Sequence, residues 1–165
     1  MPTPLLKYCW RLGLKVGKNV IALLQRVTEA AVHVNGQELS SIGKGILALV
    51  AVQREDTTQQ ADRLLERILS YRIFPDADDR MNLNLSQVEG ELLLVPQFTL
   101  AANTNKGNRP SFASAASPED GKRLFEYMLQ IAQKTSSPVE AGLFGADMKV
   151  SLINDGPVTF WLEVS

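Results

Sequence analysis

The hydrophobic pattern of this chain switches in a fixed order, from strand-like to helix-like, back to strand-like, to helix-like again, and back to strand-like. Ile21 to Val27 is apolar enough for a buried strand. Ala30 to Val34 then alternates, and Asn35-Gly36 after it is a strong hairpin signal. Ile46 to Val52 is a further apolar, β-branched run. Next, Ala61, Leu64, Leu65, Ile68 and Leu69 recur at the spacing of one helix face, with Thr57-x-x-Gln60 as a capping box ahead of them. Leu92 to Val95 reads as a buried strand, and Ala101 to Ala116 as a polar loop. A second helix is expected from Ser117, with Pro118 in its first turn and Glu119 and Asp120 favouring its dipole. Its apolar stripe is Gly121, Leu124, Phe125, Met128, Leu129 and Ala132, and Thr135 to Pro138 breaks it. Met148 to Ile153 and Val158 to Val164 read as two closing strands. Strands, helix, strand, helix, strands predict an α/β fold, a mixed sheet packed by two amphipathic helices.

Between the last two strands stands Asn154-Asp155-Gly156-Pro157. Proline has no N–H and a fixed φ, so it suits a strand only at an edge or a start. The dipeptide alone predicts an ordinary turn, since only about 5–6% of X-Pro bonds in folded proteins are cis.

A length of 165 residues suits a core of its own. No apolar run reaches the roughly 18 residues of a membrane span. Cys9 is the one cysteine, which rules out an internal disulfide and suits a reducing cytoplasm. The net charge of −1 does not announce a nucleic-acid binder, but it is unevenly divided. Residues 1–19 carry Lys7, Arg11, Lys15 and Lys18 and no acid, and the other 13 basic and 18 acidic residues leave −5. A polyanion would have to meet local basic groups, with Lys106, Arg109, Lys122 and Arg123 the candidates, or be gripped mainly at one end.

The absences narrow the chemistry. His33 is the only histidine and lies in an alternating strand beside a turn, so it reads as a hairpin residue rather than a base. With Cys9 in the basic leader, neither a Cys-His pair nor a Ser-His-acid triad is credible. Gly43-Lys44-Gly45 lacks the spacing of a phosphate loop. Asp76, Asp78 and Asp79 lack the glycine and closing glutamate of a calcium loop and read as a solvated turn. No metal and no cofactor is expected. Catalysis without a side-chain nucleophile leaves positioning and oxyanion stabilisation.

Several segments carry a resemblance when taken in order. They are Ile21-Ala22-Leu23-Leu24-Gln25-Arg26-Val27, Tyr71-Arg72-Ile73-Phe74, Met81-Asn82-Leu83-Asn84, Gln97-Phe98-Thr99-Leu100, Arg109-Pro110-Ser111-Phe112 and Asn154-Asp155-Gly156-Pro157-Val158-Thr159. From Val20 to the C-terminus the chain resembles the D-aminoacyl-tRNA deacylases. The resemblance implies a three-layer α/β/β fold and hydrolysis of the ester joining a D-amino acid, or wrongly loaded glycine, to the acceptor end of tRNA. It implies catalysis assisted by the 2′-hydroxyl of the terminal ribose, and a homodimer with a site shared between subunits. Gln97, Phe98 and Thr99 are then the catalytic positions, with backbone N–H groups near Phe98 for the oxyanion. Gly156 and Pro157 correspond to a cis pair that enters the other subunit's pocket and rejects L side chains. Arg26 resembles the residue that orients this pair. Phe144 and Met148 resemble pocket walls near the terminal adenosine, although core packing serves equally well as a reading of both.

The chain departs from the pattern at Pro96, where serine is usual. A related animal branch of relaxed chirality shares that proline but has alanine where this chain has Phe98, so Phe98 and Arg26 favour the strict deacylase. The alternatives are a non-catalytic module that binds the tRNA acceptor end, and an L-alanyl-tRNA editing hydrolase of the same fold. The family pattern starts with methionine where this chain has Val20. Residues 1–19 are therefore expected to be a basic extension from a mis-assigned start, ahead of a single domain over 20–165.

Overall fold

The computed structural model describes residues 19–165. The expected basic extension therefore lies outside the described residues except for Asn19.

The strands are β1 (Val20–Val34), β2 (Gln37–Ile42), β3 (Gly45–Ala51), β4 (Phe74–Pro75), β5 (Met81–Leu83), β6 (Glu91–Pro96), β7 (Val139–Ala141) and β8 (Met148–Val164). The helices are α1 (Thr58–Ser70) and α2 (Pro118–Ala132). β1 is the spine. Its first half pairs with β3 and its second half with β2, while β8 runs antiparallel along its length. β3, β6 and β7 are parallel neighbours. Parallel neighbours need long crossovers, which α1 and α2 supply.

Both helices start where their sequence caps stand. Thr57 accepts from the Gln60 backbone N–H, and the Gln60 side chain accepts from the Thr57 N–H at 2.8 Å. The Ser117 hydroxyl accepts from the Asp120 N–H at 3.2 Å, with Pro118 in the first turn. A helix as short as α1 is marginal alone, so packing must hold it. Leu64, Ile68 and Leu124 are fully buried beside Ile46, Ala48, Leu92 and Leu94. Each such side chain contributes about 1.5–3 kcal/mol on burial.

The alternate residues of the same strands, Leu47, Leu93 and Val95, face a second core. There they meet Val27, Ala30 and Val32 of β1 and Ile42 of β2. The sheet thus curls back over itself, and Ser40 of β2 donates to the Ala141 carbonyl of β7 at 2.8 Å. Helices, inner strands and returning strands form three layers, as expected. Coverage on both faces is why β3 and β6 read as unbroken apolar runs. Gly45 is required where β3 meets β6, since a Cβ there would sit 1.8 Å from the Glu91 carbonyl oxygen. Among the described residues no helix is long and apolar enough to cross a membrane.

Candidate active site

β6 ends at Pro96, and the chain turns through a short 3-10 segment, Phe98–Ala101. The Gln97 N–H donates to the Val50 carbonyl at 2.7 Å, which ties the turn to the carboxyl end of β3. Ligands of parallel sheets gather outside such strand ends. A cavity of about 490 Å³ opens here, within the size range of small-molecule sites. Its lining includes Val50, Pro96, Gln97, Phe98, Phe144 and Met148. That lining is mostly apolar, and Asp147, its one ionisable group among the described residues, is paired with Lys149 at 3.0 Å.

Two glycines make room for these walls. A Cβ on Gly121 of α2 would lie 3.2 Å from the Phe144 ring, and one on Gly142 would lie 2.8 Å from the Met148 sulfur. Phe144 also packs against Phe125, with ring centroids 6.5 Å apart. Gly142 was not singled out from the sequence; its only signal is a small residue just ahead of Phe144. At the mouth, Phe98 is 57% exposed and leans on Phe112, centroids 5.1 Å apart. Thr99 accepts a hydrogen bond from the Gln97 carboxamide. Among the described residues no hydrogen bond uses the backbone N–H of Phe98 or Thr99.

Arg26, Gly156 and Pro157 are not at this cavity. They form a second constellation of the same chain. Gln25 pairs with Thr159 and Val27 with Asn154, so residues 155–158 leave the ladder opposite Arg26 alone. The Gly156-Pro157 peptide bond is cis, and both residues are exposed. The Arg26 Nε donates to the Asp155 carbonyl at 2.9 Å, and its Nη1 donates to the Ile73 carbonyl at 2.7 Å. Asn154 holds the far end of the excursion and went unassigned in the sequence. Met148 and Asn154 are both on β8, separated by six positions at about 3.3 Å each, on the order of 20 Å along the strand. The cavity and the excursion are therefore held apart by a continuous strand.

Of the four basic candidates, Lys122 and Arg123 make ion pairs along α2 with Glu126 and Asp120, whereas Lys106 and Arg109 are exposed in the loop near Phe112. Asp76 caps a solvated turn by accepting from the Asp78 and Arg80 N–H groups.

A buried titratable group, Asp56, lies between β3 and α1. Asp56 accepts from the Gln53 N–H at 2.6 Å through one oxygen, and its other oxygen is buried without a partner. Burial pushes the carboxyl up to about 6, against the opposing effect of the Gln53 bond. The folded pKa exceeds the unfolded value, so the folded state binds more protons between the two, and stability falls as pH rises through that window. Asp56→Asn is expected to reduce this fall by on the order of 1–2 kcal/mol. Urea midpoints at pH 4 and pH 7.5 check it; an unaltered pH difference in the variant contradicts it.

Residues 23–163 match the family model described as D-Tyr-tRNA(Tyr) deacylase. The chain belongs to that family. The deacylase of Thioalkalivibrio sulfidiphilus, a D-aminoacyl-tRNA deacylase, is 62% identical over 145 residues, covering 88% of this chain and 97% of its own. That of Haemophilus influenzae is 56% identical over 146 residues, covering 88% and 100%. A solved structure titled c-Myc DNA Unwinding Element Binding Protein superposes with a TM-score of 0.84 at 37% identity, covering 88% of this chain and 99% of that one. This deacylase is thus a hydrolase acting on D-aminoacyl-tRNA, and its three-layer fold is the family's.

Proposed function

We propose that this deacylase is a chiral proofreader of cytoplasmic tRNA charging, acting on D-aminoacyl-tRNA and on mischarged glycyl-tRNA. Its working form is a homodimer in which each subunit's Gly156-Pro157 excursion completes the partner's cavity. The observation that carries this reading is the separation itself. A walled cavity with Gln97, Phe98, Phe144 and Met148, and an exposed excursion held by Arg26, lie on one chain and do not meet. A two-fold axis brings such pieces together in reciprocal fashion. Trp161, 49% exposed on β8 beside the excursion and paired with Leu23, offers apolar surface for the contact.

In this reading the terminal adenosine lies between Phe144 and Met148, and the ester carbonyl lies at the 3-10 turn. The N–H groups of Phe98 and Thr99 face the oxygen that gains charge as water adds to the carbonyl carbon. The Gln97 carboxamide occupies a lone pair of the Thr99 hydroxyl, which leaves its proton for the substrate. The carbonyl carbon's bond to the ribose oxygen then breaks, that oxygen takes a proton, and tRNA and amino acid leave. The neighbouring ribose hydroxyl orients the water, so no side-chain base and no cofactor is needed. Carbonyl oxygens of the Gly156-Pro157 excursion take the substrate's amino group and leave no space for an L side chain. Glycine has no side chain to exclude and is therefore accepted.

The mechanism is tested with a D-tyrosyl ester on tRNA whose terminal ribose lacks the 2′-hydroxyl. Single-turnover hydrolysis is expected to slow by about 10²-fold or more, the scale of one positioned proton-transfer group. Thr99→Ala on the natural substrate is expected to cost about tenfold, one hydrogen bond's worth. A 2′-deoxy ester hydrolysed at the natural rate overturns the RNA-assisted step.

A further inference from the structure

Four residues of β8, Asp155, Gly156, Pro157 and Val158, leave the ladder opposite one residue of β1. Leaving a ladder strands backbone donors and acceptors, and those that are buried must be satisfied in another way. Val158 is one of them, only 6% exposed. The Asn154 side chain supplies what the ladder does not. Its Nδ2 donates to the Val158 carbonyl at 2.9 Å, and its Oδ1 accepts from the Val158 N–H at 3.0 Å. The carboxamide thus pairs with both main-chain groups of Val158, as a peptide of a neighbouring strand would. Nδ2 also reaches the Arg26 carbonyl on β1 at 3.2 Å.

From the other side, Arg26 grips the Asp155 carbonyl. The excursion is therefore clamped at both ends, Asp155 by a guanidinium and Val158 by a carboxamide. Gly156 and Pro157 between them are exposed. Only asparagine fits this geometry. Aspartate is isosteric but has no donor, so it faces the Val158 and Arg26 carbonyls with negative charge. Serine and threonine offer one donor where two are used, and glutamine adds a methylene to a closed ring.

We infer that Asn154 is a positioning residue for stereochemical selection: its carboxamide fixes the Gly156-Pro157 excursion against β1, so that the exposed pair meets a substrate as a rigid wall. The inference rests on the reading of that pair as the chiral filter. A loosened wall gives way to an L side chain while still admitting the smaller demand of a D substrate. Loss of Asn154 therefore changes the ratio of D to L turnover more than it changes D turnover. A residue that merely stabilised the fold would move both rates together.

The experiment measures kcat/KM for D-tyrosyl-tRNA and L-tyrosyl-tRNA with wild type, Asn154→Ala, Asn154→Asp and Gly156→Ala, alongside thermal unfolding of each. In both Asn154 variants the D/L ratio is expected to fall at least tenfold while D turnover falls by less than that. The aspartate variant, equal in volume, keeps the test valid if the alanine variant does not fold. An unchanged ratio in Asn154→Asp, or D and L rates lowered in parallel, overturns the inference. If Gly156→Ala changes the ratio and Asn154→Asp does not, the filter reading stands and the role of Asn154 fails alone. If Gly156→Ala also keeps the ratio, the filter reading has failed and this inference falls with it.

Discussion

Gly156→Ala is expected to lower kcat/KM for D-aminoacyl-tRNA by about 10²-fold, the cost of displacing a positioning group by roughly 1 Å. A Cβ at this position would lie 2.5 Å from the Val158 backbone nitrogen and 2.5 Å from its Cγ2. Real Cβ contacts do not come so close, so either Val158 or the excursion has to move. Val158 is buried, and the Asn154 carboxamide holds both its main-chain groups. The exposed pair therefore yields instead. Because that pair is at the surface, the stability cost stays near 1–2 kcal/mol, within the range of an ordinary strained substitution. Steady-state deacylation together with a melting curve separates the two effects. Wild-type activity in the variant contradicts the assignment of Gly156 to the substrate-facing wall.

Arg26→Ala is expected to be costly in both stability and activity, for a reason that magnitudes decide. Its ion pair with Asp155 spans 3.2 Å, but the Asp155 side chain is 45% exposed. Such a pair contributes at most about 1 kcal/mol. The two carbonyls matter more. The Arg26 side chain is 12% exposed, and Ile73 is buried at 1%. Truncation leaves the Ile73 and Asp155 carbonyls without their charged donor, at about 1.5–3 kcal/mol for each bond. A loss of roughly 3 kcal/mol and a D/L ratio reduced at least tenfold are expected, since one bond anchors the excursion and the other ties it to the segment after α1. Arg26→Lys can keep one contact but not the fork, so it is expected to fall between. Urea unfolding and the two deacylation rates check this; a stable variant with unaltered selectivity contradicts it.

Those two constellations also show what a sequence does and does not reveal. The helix starts were legible to within a residue, because caps and apolar spacing are local, whereas the second helix ends at Ala132, ahead of the expected break at Thr135. Thr57, Gln60, Ser117 and Pro118 mark their starts, and the structure places both boundaries there. β3 and β6 were legible because strands buried on both faces read as apolar runs. β1 and β8 were each read as two strands, although each is one. Their exposed stretches, Thr28-Glu29 and Gly156-Pro157, look like interruptions, while a long antiparallel partner carries the ladder past them. β7 is only Val139–Ala141 and leaves no periodic signal. The curl that brings Ser40 to Ala141 depends on a pair 101 residues apart.

At the site, Gln97, Phe98, Thr99, Phe144 and Met148 were named on the family resemblance; all but Thr99 line one cavity, and Thr99 is bonded to the Gln97 carboxamide beside it. Phe144 and Met148 serve as wall and as packing at once, which is why neither reading of them prevailed from sequence. The contact from Arg26 to Ile73 bridges 47 positions, and no pattern announces it. Asn154 stood in a quoted motif, yet its purpose depends on an excursion that only the register of β1 against β8 defines.

The most direct test of the account is the deacylation of D-tyrosyl-tRNA and L-tyrosyl-tRNA by the purified protein with a chelator present. Fast loss of the D ester, with the L ester decaying no faster than in buffer, is the predicted result. Comparable loss of both esters, or of neither while tRNA stays bound, contradicts it.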